Sequence, residues 1–483
     1  MTSPIEFFKE ISKIPRGSGN ESAIADYIEN VAKSNSLFCI RDGFNNVFVR
    51  RSAHPSCTSA KPILFAAHTD MVCEKLPASE HNFMTDPLQL IEKDGWLFAN
   101  GTTLGGDDGA GVATMLSLMT DTELIAPVTE YLFTSSEETG MDGAFGFDYS
   151  AVTSDMVINL DNSVECSACV GSASGKIHRI DLPTDRIPKS GKAVKISVKG
   201  LASGHSGAEI NSGNQNATKL LSSLLCRIYE SYPFNIYTVS GGGKDNVIPA
   251  DAEATVFLCG TDEEKIAKQI AADFEKAARQ SMTKADKKHF SIGFYKLKEV
   301  ERNQISDMMT LKSTSNVLTA LTLAPQGVLS YFPGSNEVFS SVNMGIARTE
   351  PDKLSISFLQ RSADVHHAYN TELILTRLAH SLGAQITTFG GYPAWEYKSS
   401  SALQTMYSKA CSQTYGKIPP FNKVHAGLEC GIFYERLMAL GKRPDIISIG
   451  PNVQNIHTTL ERMEIASLDR LYSLLKNLLG SNV

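Results

Sequence analysis

The sequence predicts an α/β protein in which a central mixed sheet flanked by helices is interrupted by an inserted α+β block. Three observations carry this reading. Apolar, strand-like runs at 62–67, 127–134, 155–160 and 445–450 each lead into histidine or carboxylate residues. A glycine-rich loop, GTTLGGDDGAG at 101–111, feeds an apolar helix over 112–119. From about residue 192 the texture changes to strands alternating with long amphipathic helices, and the strand at 445–450 then resumes the first pattern.

A chain of 483 residues exceeds what one hydrophobic core usually holds, so two domains are expected. With 42% hydrophobic and 20% charged residues the composition is that of a globular protein, not a disordered or fibrous one. The formal charge of −7 is spread along the chain without a basic stripe, which argues against a nucleic-acid partner. No apolar run reaches the ~18 residues of a membrane span. Glu6, Lys9 and Glu10 break up any signal-peptide core at the start, leaving an amphipathic helix. The nine cysteines are scattered apart from Cys166 and Cys169, a C-x-x-C with no second pair to complete a zinc ribbon, and these read as buried thiols. A reducing, cytoplasmic location follows as the expectation.

Residues 4–34 carry helical spacing in Phe7, Phe8, Ile11, Ile24, Tyr27, Ile28 and Val31, broken at 15–19. Strands at 38–41 and 47–51 follow across Asn45-Asn46, and the run KPILFAAHTD then ends in His68 and Asp70. The run at 127–134 delivers Glu137 and Glu138, that at 155–160 delivers Asp161, and that at 445–450 leads to His457. The second block reads as strand 193–199, helix 215–229, strand 248–258, helices 263–282 and 305–323, strands 338–347 and 353–360, and helix 371–382, a sheet with helices on one face. Helices at 401–415, 429–440 and 468–479 return to the first domain. The expected partition is 1–190 and 391–483 for the main domain and 191–390 for the insertion.

Histidines and carboxylates without thiolates form the ligand set of a hydrolytic zinc or manganese centre. His68, Asp107, Glu138, Asp161 and His457 suffice for two metal ions sharing one carboxylate, with a water bridging them. Glu137, beside Glu138, can remain unligated and serve as general base, and Asp70 lies where it can orient the His68 imidazole. Each element has a plainer explanation: Asp107 and Asp108 as helix caps, His-x-Asp as a hydrogen bond, Glu-Glu as a solvated pair. Only their joint recurrence at strand ends argues for chemistry. The glycine loop matches neither the dinucleotide nor the P-loop pattern.

AAHTDMV, GTTLGGDDGAG, TSSEETGMDGAFGF, NLD, GHSGAEI and HAGLECGIF together resemble the di-zinc dipeptidases of the aminoacylase and carboxypeptidase superfamily, and specifically the bacterial aminoacyl-histidine dipeptidases, relatives of carnosinase. The resemblance runs in order over nearly the whole chain. It implies a cytoplasmic dipeptidase for Xaa-His or β-Ala-His substrates with two zinc ions per subunit, manganese or cobalt being alternatives. His68 and Asp161 would hold one metal, Glu138 and His457 the other, and Asp107 would bridge; Glu137 would be the base and Asp70 the orienting residue. It also makes the inserted domain a lid and homodimer contact, with His205 reaching the partner's active site to stabilise the oxyanion. Asn246 and Arg361 would hold the substrate carboxylate, and Glu429 would touch substrate. Read without the resemblance, GHSG is a polar turn, Asn246 a turn residue and Arg361 a surface ion pair. One departure stands out: relatives follow the last histidine with Ser-Pro and an acidic residue, whereas here it is His457-Thr458-Thr459-Leu460-Glu461. The rival readings are an N-acyl amino acid amidohydrolase or other exopeptidase on the same scaffold, and a binding protein that has lost catalysis.

Overall fold

The computed structural model describes residues 2–258, 260–297 and 305–480. They divide into two compact units, one comprising the chain up to Ser172, Trp395–Lys423 and the stretch from Leu428 on, the other Ala173–Ala394 with Val424–Gly427.

In the first unit an eight-stranded sheet runs in the order Phe38–Arg41, Val47–Arg51, Thr129–Thr134, Ile63–His68, Met156–Asn159, Asp445–Ser448, Ala168–Ser172, Phe421–Val424. Its centre is parallel: Ile63–His68 pairs in parallel with Thr129–Thr134 and with Met156–Asn159, which pairs in parallel with Asp445–Ser448. The outer pairings of Val47–Arg51 and Ala168–Ser172 are antiparallel, which makes the sheet mixed. Every residue of Ile63–His68 and Thr129–Thr134 is buried, as expected where helices cover both faces of a parallel sheet. These helices are Pro4–Ile11, Ser22–Ser34, Gly106–Thr120, Ala402–Tyr415, Glu429–Ala439 and Ile465–Gly480, and their Phe8, Ile24, Leu116 and Leu475 share one core with Phe65 and Tyr131. The first helix is started by a reciprocal cap, Ser3 N donating to Glu6 Oε2 at 2.7 Å and Glu6 N to Ser3 Oγ at 3.4 Å. A four-stranded sheet formed by Val453–Gln454, Arg462–Glu464, Trp96–Ala99 and Leu90–Lys93 was not expected from the sequence.

The second unit holds a nine-stranded antiparallel sheet. Its helices Ala217–Ser231, Leu311–Leu323 and Val365–Ser381 bury Leu221, Val317 and Leu375 in one cluster with Ile180, Ile196, Val256 and Ile356 from the strands. The first boundary falls after Ser172, not near 190, because Ser174–Pro183 pairs along its whole length with Lys353–Ser362 and along much of it with Gln385–Tyr392. The helix expected at 305–323 starts only at Leu311, capped by Thr310, whose hydroxyl accepts from Ser313 N. Asp307–Met309 before it is a strand paired with Arg186–Pro188. Cys166 and Cys169 are buried, and Cys169 Sγ donates to the Gly171 carbonyl at 3.3 Å. Among the described residues no helix is long and apolar enough to cross a membrane.

Candidate metal centre

Because the four central strands run parallel, their carboxyl ends lie along one edge of the sheet, where open α/β sheets gather their ligand-binding loops. His68 is the last residue of its strand and is 1% exposed. Its Nε2 lies 3.2 Å from Asp107 Oδ1 and 3.9 Å from Asp161 Oδ1. His457 Nε2 lies 3.4 Å from the other Asp107 oxygen, Oδ2, and 2.8 Å from Glu138 Oε1. The two oxygens of Asp107 thus face two different histidines, each with its own second carboxylate. Among the described residues, His68, Asp107 and Glu138 can offer donor atoms lying within 4.8 Å of one another.

The electrostatics are those of an acidic nest. Burial and the charge of Asp107 push Asp161 well above the usual carboxylate range. Hydrogen bonds from His457 and His68 overcome burial to hold Asp107 far below it. Burial opposes charge on His68, but its bonds to Asp107 and Asp70 outweigh that and raise it well above its ordinary value. His457 is raised to about 10 by its bonds to Asp107 and Glu138. The histidines therefore hold protons where the carboxylates require positive charge, and three carboxylates with two imidazoles are a donor set that fits divalent zinc or manganese. Glu137 is pushed up to about 7 by burial and by the charges of Glu138 and Asp107. Positive charge held at the neighbouring donors draws it lower.

A second layer of residues stitches the loops together. Asp70, 0% exposed, faces His68 Nδ1 at 3.4 Å while its two oxygens accept the backbone N–H of Glu137 at 3.0 Å and of Glu138 at 3.2 Å, and Oδ2 also accepts from Ser18 Oγ. These bonds overcome its burial and hold it at about 2. Ser136, before Glu137, is in the left-handed region at φ 56° and is clamped by Glu21 Oε1 through both its N–H and its hydroxyl. His457 is itself left-handed at φ 61°, a conformation that costs a non-glycine residue about 1–3 kcal/mol. The Glu461 carboxylate accepts the N–H groups of Leu104, Gly105, Gly106 and Asp107 at 2.8, 3.0, 2.8 and 3.3 Å. The buried Arg16 guanidinium joins the Thr69, Asp70 and Gly105 carbonyls. Neither Arg16 nor the grip of Glu461 was anticipated; the one sequence signal was an acidic residue following His457 closely.

The remaining expected residues are distributed as follows. Glu429 lies in the first unit, 1% exposed, with Oε2 accepting from Thr134 Oγ1 at 2.8 Å and Oε1 buried without a partner among the described residues. Burial and the charge of Glu137 push it well up. His205, Asn246 and Arg361 belong to the second unit. His205 is exposed, its Nδ1 accepting from Gly207 N at 3.3 Å, which leaves the proton on Nε2. The turn carrying Asn246 is held by Asn343 Nδ2, which donates to the Asp245 and Val247 carbonyls at 2.8 Å each. Arg361 is 4% exposed rather than a surface ion pair, and its Nη1 donates to the Tyr392 hydroxyl.

Parallel strands presenting imidazole and carboxylate donors at one edge define an α/β metal-dependent hydrolase. The chain belongs to peptidase family M20/M25/M40, whose family model matches residues 64–481. It is 30% identical over 477 residues to the cytosol non-specific dipeptidase of Escherichia coli (strain K12), covering 98% of this chain and 96% of that protein. The structure is similar to that of the aminoacylhistidine dipeptidase from Vibrio alginolyticus, with a TM-score of 0.90 and 29% identity over 99% of this chain and 96% of that one. Aminopeptidase PepT from Bacillus cereus ATCC 10987 shares the fold alone, at a TM-score of 0.56 and 13% identity over 99% and 98% of the two chains.

Proposed function

We propose that the chain hydrolyses dipeptides of the aminoacyl-histidine type, β-alanyl-histidine among them, with two divalent cations per subunit, zinc first and manganese or cobalt as alternatives. The observation that carries this reading is Asp107, whose two oxygens face two separate His–carboxylate sets. His68 and Asp161 would hold one cation, His457 and Glu138 the other, and Asp107 both. Bound there, the cations supply Lewis acidity toward the scissile carbonyl. Glu137 takes a proton from the attacking water and delivers it to the leaving nitrogen as the C–N bond breaks, giving a carboxylate and a free amine. Asp70 keeps the His68 ring oriented and, through the Glu137 and Glu138 N–H groups, fixes the base relative to the ligands. Arg361 and Asn246 take the substrate carboxylate, His205 Nε2–H supports the developing oxyanion, and Glu429 offers its unpartnered Oε1 to substrate.

Chelator treatment is expected to abolish dipeptide hydrolysis, and zinc, manganese or cobalt to restore it. Hydrolysis indifferent to chelator would overturn the two-cation reading. Dipeptides, tripeptides and N-acyl amino acids assayed side by side separate the dipeptidase from an amidohydrolase on the same scaffold.

The second unit is proposed as a lid through which two subunits pair, with His205 acting on the partner's substrate. In support, helix Val365–Ser381 leaves Val365, Tyr369 and Leu373 at 67, 64 and 44% exposure, an apolar stripe spaced four residues apart. Tyr369→Glu is expected to turn a dimer into monomer by sedimentation and to abolish turnover with it; an active monomer would remove His205 from the reaction in trans. A cytoplasmic location is proposed from the odd cysteine set and from the E. coli relative, which is named for the cytosol.

A further inference from the structure

The second unit contains a cavity of about 480 Å³ lined by Lys176, Lys244, Asn246, Arg361 and Tyr392 among others. Three cationic side chains, those of Lys176, Lys244 and Arg361, line it against one carboxylate, Asp245, which suits an anion. Arg361 is buried, and its Nε has no partner among the described residues. Its Nη1 donates to the Tyr392 hydroxyl. A phenol oxygen that accepts from a guanidinium keeps its own proton to give. Burial raises this phenol above its ordinary value, so the proton stays on at neutral pH.

The tyrosine ring is seated by two glycines from distant parts of the chain. A Cβ on Gly175 would lie 2.4 Å from Tyr392 Cζ, and one on Gly427 would lie 2.5 Å from Cε2. Gly175 is the strand partner of Tyr392, and Gly427 is the second residue after His425 in HAGLECG. Side chains at these positions would displace the ring, so the two glycines set where the hydroxyl points.

We propose that Tyr392 is a specificity-determining residue of the peptidase: its hydroxyl, oriented by Arg361 and Gly427, donates to the free C-terminal carboxylate of a dipeptide held in this cavity beside the Arg361 guanidinium. The proposal rests on the reading of Arg361 as the carboxylate-binding residue. Two donors aimed at one group favour a carboxylate, which accepts from both, over a C-terminal amide or a continuing peptide, whose N–H would face a donor. The same pair then explains why a chain ending at this point would be preferred to a longer one.

The test compares a dipeptide with its C-terminal amide on the metal-loaded enzyme, the amide being assayed as substrate or, where turnover is too slow, as competitor. Tyr392→Phe keeps the ring on its glycine seat and removes only the hydroxyl. It is expected to reduce the preference for the free carboxylate by about tenfold or more, with the loss in KM, the size of a lost hydrogen bond to a charged group. Arg361→Met is expected to abolish the preference. If Arg361→Met abolishes it and Tyr392→Phe leaves it intact, or lowers both substrates equally, the role of Tyr392 is overturned while the reading of Arg361 stands. If Arg361→Met itself retains the preference, both fall. Gly427→Ala, which crowds the ring, is expected to reproduce the Tyr392→Phe loss of discrimination, and an unchanged preference in that variant overturns the seating argument.

Discussion

Glu137→Gln is expected to lower kcat for dipeptides by about 10²–10⁴-fold while the purified protein retains its metal. The substitution is close to isosteric, and the N–H of residue 137 can still donate to Asp70 Oδ1, as it does at 3.0 Å, so the loop need not move. What disappears is the proton acceptor. Burial, together with the charges of Glu138 and Asp107, raises Glu137 to about 7, so near neutrality it can both take a proton from water and give it up to an amine. Glu138, next to it, points Oε1 at His457 at 2.8 Å and is assigned to the proposed ligand set. Metal content by elemental analysis and turnover on the same sample check the result together. Full turnover would remove Glu137 as the base, and loss of metal would place it among the ligands instead.

The second large effect is expected from Glu461→Ala. This carboxylate never touches the donor cluster through its own oxygens, yet it accepts four consecutive backbone N–H groups, the last being that of Asp107. Its removal leaves those donors facing a small void in a buried loop, and each buried donor left unmade costs about 1–3 kcal/mol, offset in part by water entering. The expected outcome is a loss of stability of about 3–5 kcal/mol in denaturant melts and a 10–100-fold weaker affinity for zinc, the usual scale for losing an outer support of a metal site. Thr458 O accepts from Glu461 N at 3.1 Å, closing a turn that swings the carboxylate back to the glycine loop. A variant as stable and as metal-tight as the parent would show that the glycine loop holds Asp107 unaided.

The legible parts of this protein were those encoded locally. An apolar run ending in His68, or in the serines before Glu137, announces a buried strand with its load at the carboxyl end; the parallel pairing of four such runs is what the structure adds. Asp107, next to Asp108 and equally readable as a helix cap, could be singled out only beside the other ligand types at the strand ends. The illegible parts depend on partners remote in sequence. Glu461 lies 355 residues from Gly106, and nothing in its own neighbourhood signals where its oxygens go. Tyr392 looks like an ordinary strand-end aromatic until Arg361 is brought to its hydroxyl and Gly427 to its ring. Ser174–Pro183 was not singled out as a strand, and its partner Lys353–Ser362 is remote in sequence, so the boundary was placed too late. The segment before Leu311 was assigned to the helix at 305–323, whereas Met308 and Met309 are buried in a two-stranded pairing with Arg186–Pro188.

The position of Asp445–Ser448 in the sheet has a consequence for how the molecule is made. It sits between Met156–Asn159 and Ala168–Ser172, which precede it by more than 270 residues, so both wait for a neighbour not yet synthesised. At about 5–20 residues per second the ribosome needs tens of seconds to supply it. During that interval the intervening unit, whose strands and helices are nearly all in hand once Gln385–Tyr392 has emerged, can assemble ahead of the one that surrounds it in sequence. A nascent chain stalled before residue 445 therefore leaves one edge each of Met156–Asn159 and Ala168–Ser172 unpaired.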